Sequence, residues 1–111
     1  MAMIREVEDL EVHREEHGWV ETTLADSTLF GHAAMVARRW SLEPGARSPS
    51  FVHGEQEQML YVIAGSGRAR VNSEHYALMQ ENLLWMEPGD RYHLEAGEQG
   101  LEILVGFAPG E

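Results

Sequence analysis

A chain of 111 residues suffices for one domain with one core, and its net charge of −11 repels phosphate backbones, which argues against nucleic acid as a partner. All eight basic residues are arginine and there is no cysteine, so lysine Schiff-base chemistry, disulfides and thiolate catalysis are excluded. No run approaches the roughly 20 apolar residues of a membrane helix. The early Glu6, Glu8, Asp9 and Glu11 are unlike a signal peptide, so a soluble, cytoplasmic protein is expected.

Residues 1–18 are mostly charged, with Ile4, Val7, Leu10 and Val12 as the apolar side chains available to pin a short segment to a core. His13, Glu16 and His17 invite a metal reading, since helical spacing would put the two histidines on one face. The more ordinary reading is a solvated arm. Trp19 to Leu24 is rich in β-formers and reads as a strand, and Asp26-Ser27 as a turn. Ala34 to Leu42 reads as a second strand, ending in the turn Glu43-Pro44-Gly45. Neither of its faces is cleanly apolar. Arg38 and Arg39 have opposite parity, and whichever points inward could bind an anionic substrate; an edge arginine with a packed stem and its head in water is the commoner case.

Phe51 and His53 are two apart and share a strand face. In the following strand Gln58, Leu60 and Val62 form one face, and Met59, Tyr61 and Ile63 the other. Gly65-Ser66-Gly67 interrupts this run and predicts a hairpin turn before Arg68 to Val71. Asn72-Ser73-Glu74 predicts another turn, then a short strand through Tyr76, Leu78 and Met79. Pro88-Gly89 precedes the strand carrying Tyr92, and Leu101 to Phe107 is the last strand. No long amphipathic helix with caps is legible.

Two stretches resemble the motifs of the cupin superfamily. The first family motif runs Gly, five residues, His-x-His, three or four residues, Glu, six residues, Gly. Here Gly45 is followed by Phe51-Val52-His53, then Gln58, then Gly65. The spacing fits, but Phe51 stands for the first His and Gln58 for the Glu. Reading Glu57 as the Glu displaces Gly65 by one. The second motif, Gly, five residues, Pro-x-Gly, two residues, His, three residues, Asn, is matched more distantly. Glu81 and Asn82 open it, Glu87-Pro88-Gly89 supplies the turn, Tyr92 takes the His position and Ala96 the Asn position.

The resemblance covers roughly residues 34–107 and implies an all-β fold, a double-stranded β-helix or jelly-roll β-barrel. Many short strands between Gly, Pro, Asn and Asp turns point the same way. Residues 1–30 are expected to supply an N-terminal arm and first strand of the same domain, and residues 31–111 the barrel. Strand parity puts Tyr92 on one face with Leu94, and His93 on the other with Glu95. Burying His93 and Glu95 together would be costly, so Tyr92 is expected inside. His93 is the alternative if the register slips by one.

The resemblance further implies a site in the barrel mouth. A divalent metal (Fe, Mn, Ni, Cu or Zn) would be held by His53, Gln58 and Tyr92, one imidazole, one neutral carbonyl and one phenol. The same side chains could instead line a metal-free small-molecule pocket, with Phe51 and Trp85 as apolar walls and His53, Gln58 and Tyr92 as hydrogen-bonding groups. A mouth simply packed by these side chains is the third reading. Function therefore stays open between a binding barrel, a metal-dependent dioxygenase or isomerase on a small polar substrate, and a non-catalytic scaffold. The strand apolar on both faces predicts a homodimer, with residues 1–30 folding back over that face as the alternative. Cupins often pair, which implies the same.

Overall fold

The structure is a computed structural model, and it describes residues 12–25, 36–52 and 57–107. Among the described residues there are eight strands: β1 (Val12–Glu16), β2 (Trp19–Ala25), β3 (Val36–Leu42), β4 (Phe51–Val52), β5 (Gln58–Val71), β6 (Glu74–Met79), β7 (Leu83–Met86) and β8 (Arg91–Phe107). All pairings are antiparallel, and there is no helix among the described residues. It follows that no described helix is long and apolar enough to cross a membrane.

Two long strands organise everything else. β5 has 14 residues and β8 has 17, and they pair along most of their length. The first half of β5 lies on the second half of β8, as in Leu60 opposite Val105. The second half of β5 lies on the first half of β8, as in Val71 opposite Tyr92. Between the halves the register shifts twice, between Val62 and Ala64 and between Gly65 and Gly67. Such bulges bend a strand and sharpen its twist, so the ladder folds into two leaves. β3, β2 and β1 extend the first leaf beyond β8, and β7 covers its β5 side; β4 and β6 flank the second.

The hairpin expected at Gly65-Ser66-Gly67 is therefore not formed. β5 runs straight through it, and the glycines serve the bend instead. Gly65 has φ of 85°, and a Cβ there would run into the carbonyl oxygen of Gly100. Glycine meets both demands. The polar turn at Asn72-Ser73 and the Pro88-Gly89 turn before β8 form where the sequence places them. Val12–Glu16 is a strand, turned into β2 at His17-Gly18, so the helical spacing of His13 and His17 does not exist. The Asp26-Ser27 turn and residues 1–11 lie outside the described residues.

The core lies between the leaves. Gln58, Leu60 and Val62 are buried while Met59, Tyr61 and Ile63 are only half-buried, the alternation of a strand with one face inward. Trp19, Trp40, Leu60, Ile103 and Val105 from the first leaf meet Ala69, Tyr92 and Leu94 from the second, all at most 2% exposed. Each fully buried aliphatic side chain contributes about 1.5–3 kcal/mol relative to exposure.

Candidate functional site

Residues directly opposite across a ladder share a face. Arg38 stands opposite Val105 and Thr23, and Trp40 opposite Ile103 and Glu21, so both point into the barrel. Gln58 stands opposite Phe107 at the same end. β4 brings Phe51 beside Tyr92, across the inner space from this group.

The rings form one cluster. Phe51 stacks on Trp40 with centroids 4.9 Å apart and planes 14° from parallel. Trp19 meets Trp40 edge-on at 5.9 Å, and Tyr92 lies 5.4 Å from Phe51. Offset and edge contacts of this kind suit aromatic quadrupoles.

Polar groups are set among the rings. The Tyr92 hydroxyl donates to Gln58 Oε1 at 3.0 Å, both residues being buried. Trp40 Nε1 donates to Glu21 Oε2 at 2.7 Å, and Arg38 Nη1 lies 3.6 Å from the same oxygen. Glu21 is 1% exposed. The Arg38 guanidinium lies 5.5 Å above the Phe107 ring. Two buried donors, Arg38 Nε and Trp19 Nε1, have no hydrogen-bond partner among the described residues.

Burial pushes the Tyr92 phenol well above its ordinary pKa of 10. The bond to Gln58 pulls the other way, Glu21 adds to the rise and Arg38 opposes it, and burial prevails because it disfavours the phenolate outright. Tyr92 is a neutral hydrogen-bond donor at physiological pH.

The residues expected from sequence are thus only partly assembled. Phe51, Gln58 and Tyr92 come together. His53 lies outside the described residues. Trp85 does not join them: it stands opposite Met59 on the outer face, 56% exposed, and its Nε1 donates to Glu57 Oε2 at 2.7 Å. The physical reason is strand parity, since Leu84 and Met86 take the inward positions of β7. His93 likewise points outward, 3.6 Å from Glu95 Oε2.

The described donors do not fit a divalent metal. Tyr92 binds well only as phenolate, which its surroundings oppose, and Gln58 Oε1 already accepts the phenol proton. No group of three His, Cys, Asp or Glu side chains suited to a metal occurs among the described residues. Sequence reading passed over Glu21. The signal was present: once Trp19 points inward, Glu21, two residues on, shares its face.

The model of the cupin domain family, Cupin_2, matches residues 38–107. Among solved structures, a predicted oxalate decarboxylase from Thermotoga maritima superposes with a TM-score of 0.82 at 17% identity, covering 96% of this chain and 98% of that one. KdgF from Halomonas sp. gives 0.81 at 16%, covering 100% and 96%. An RmlC-like cupin from Shewanella frigidimarina gives 0.80 at 16%, covering 100% and 94%. At these identities the likeness is one of fold. No curated protein sequence matches the chain. With the family motif spanning both long strands and the bend between them, this chain belongs to the cupin family and has its β-barrel fold.

Proposed function

We propose that this cupin binds a small molecule at the inner end of its barrel through its own side chains, without a resident metal. Phe51 and Trp40 supply the apolar wall, and Tyr92, Gln58 and Arg38 the hydrogen-bonding groups. The observation that carries this reading is Glu21. Burying a carboxylate costs several kcal/mol before pairing, and well-packed apolar side chains in place of buried ion pairs are often as stable or more so. A barrel that only needed filling has no use for Glu21 and Arg38 between its leaves. A few convergent polar groups among aromatic rings are the composition of a ligand site, and Arg38 Nε supplies an unused donor for an acceptor oxygen. No bond-making step is assigned to these residues.

The test is native mass spectrometry of freshly purified protein, with a melting screen of small acids and amides. A retained molecule, or a ligand whose stabilisation is lost in Arg38→Met while the circular dichroism spectrum holds, is the expected result. A screen with no stabilising ligand and no retained mass would overturn it. Elemental analysis of the same sample checks the metal. Stoichiometric metal that disappears in His53→Ala would return the site to metal chemistry.

We further propose that the barrel pairs as a homodimer through the outer face of its first leaf. Met59 and Tyr61 lie there beside Trp85 and Leu83, which are 56% and 58% exposed. A second copy related by two-fold symmetry is the simplest cover for such a face.

A further inference from the structure

The outer face of the second leaf is strongly basic, although the chain as a whole is acidic. Four of the eight arginines, Arg47, Arg68, Arg70 and Arg91, lie on it with His75 and His93. The ladder aligns His75, Arg70 and His93 across three adjacent strands. This row sets no carboxylate opposite Arg70. Elsewhere on the same face the fold does the opposite, placing Arg68 across from Glu95.

Among the described residues Glu95 is the carboxylate that pairs with these arginines, and it is already shared. Arg47 Nη2 donates to its Oε2 at 2.6 Å and Arg68 Nη2 to its Oε1 at 3.0 Å, with His93 Nε2 at 3.6 Å. Nearby Glu74 accepts from the Tyr76 hydroxyl, and Asp90 accepts from Asn72 Nδ2 and the Glu87 amide. Among the described residues Arg70, Arg91 and His75 therefore have no carboxylate partner. Among the described residues four guanidinium groups face one carboxylate, and Arg70 and His75 are exposed. Arg70 and Arg91 thus present their charge to solvent, while Arg68 on the same face is paired with Glu95.

We infer that this face docks an acidic, extended segment of a partner protein. On an extended strand, side chains of one face recur about every 6.8 Å. That is also the spacing of Arg68 and Arg70 along β5, and of Arg91 and His93 along β8. Alternate carboxylates on the partner match it position for position. The surface is open and broad, which suits a segment with several charges better than a single small anion. A nucleic acid fits less well, because its phosphates continue past this face into the field of a molecule of net charge −11. The site is independent of the barrel interior, since Arg70 points away from it.

Fluorescence anisotropy tests the inference. The probe is a labelled peptide of about ten residues with Glu at alternate positions, compared with its Gln counterpart and with a short labelled DNA of similar charge. The Glu peptide is expected to bind at low salt and the Gln peptide not to bind. Replacing Arg70 and Arg91 by Gln is expected to weaken binding at least about tenfold, since a charge-assisted contact is worth that much. Arg39→Gln changes the net charge on the other leaf and is expected to leave binding unchanged. Equal weakening by Arg39→Gln, tighter binding of the DNA, or no binding of the Glu peptide would each overturn the inference.

Discussion

Tyr92 and Gln58 are 34 positions apart in the chain, yet the phenol of one donates to the amide oxygen of the other at 3.0 Å inside the barrel. By the motif resemblance they take the places of a histidine and a glutamate. Their neutral hydrogen bond fixes the inner faces of β5 and β8 against each other. Tyr92→Phe leaves a buried acceptor without its donor, which costs about 1–3 kcal/mol. Chemical denaturation should show that loss without a change of secondary structure. The same burial raises the Tyr92 pKa, so the tyrosine contributes stability below the ordinary value of 10 and loses it as pH rises beyond. Wild-type stability should therefore fall in alkali more steeply than that of Tyr92→Phe.

Glu95 gives the acid counterpart. The hydrogen bond from Arg68 is the largest cause holding its carboxyl below the usual value of 4.5; burial opposes it, and Arg47 and His93 add to it. A depressed folded-state pKa contributes stability above the unfolded value and loses it as pH falls through the folded one. Glu95→Gln should therefore be less stable than wild type at neutral pH. The gap should close below about pH 4, as judged from melting temperatures across a pH series.

Gly65→Ala tests the bend. The new Cβ would meet the Gly100 carbonyl on backbone already at positive φ, and strain with overpacking should cost about 3 kcal/mol. Gly89→Ala shares the positive φ but has open space around it, so about 1 kcal/mol is expected there. Equal costs for the two would mean that conformation alone, and not the close approach of β5 to Gly100, requires Gly65.

The homodimer has a direct measurement. Light scattering at micromolar concentration should give twice 12.5 kDa. Tyr61→Glu puts a charge on the outer face, opposite Leu104 and Leu83, and should yield a species near 12.5 kDa that still melts cooperatively. A wild-type protein already at the lower mass would remove the pairing.

The sequence by itself determined the all-β class, several of the strands and turns, and the inward side of Tyr92. It did so because strand parity has a period of two, and one misplaced residue would bury charges such as His93 and Glu95. It placed Phe51, Gln58 and Tyr92 together through motif spacing, which the ladders then reproduce. Tertiary structure decided what depends on long-range register. Gly65-Ser66-Gly67 has the composition of a hairpin turn, and only the approach of Gly100 from 35 positions away makes it a bend within one strand. Trp85 looked like a pocket wall because an aromatic residue beside a motif gives no face by itself; pairing with Met59 turned it outward. Glu21 and Arg38 meet because β2 and β3 are neighbours, while Arg70 and His93 face each other because β5 and β8 are. Contacts between distant segments carry no local periodicity, so these pairings became visible only once the strands were paired.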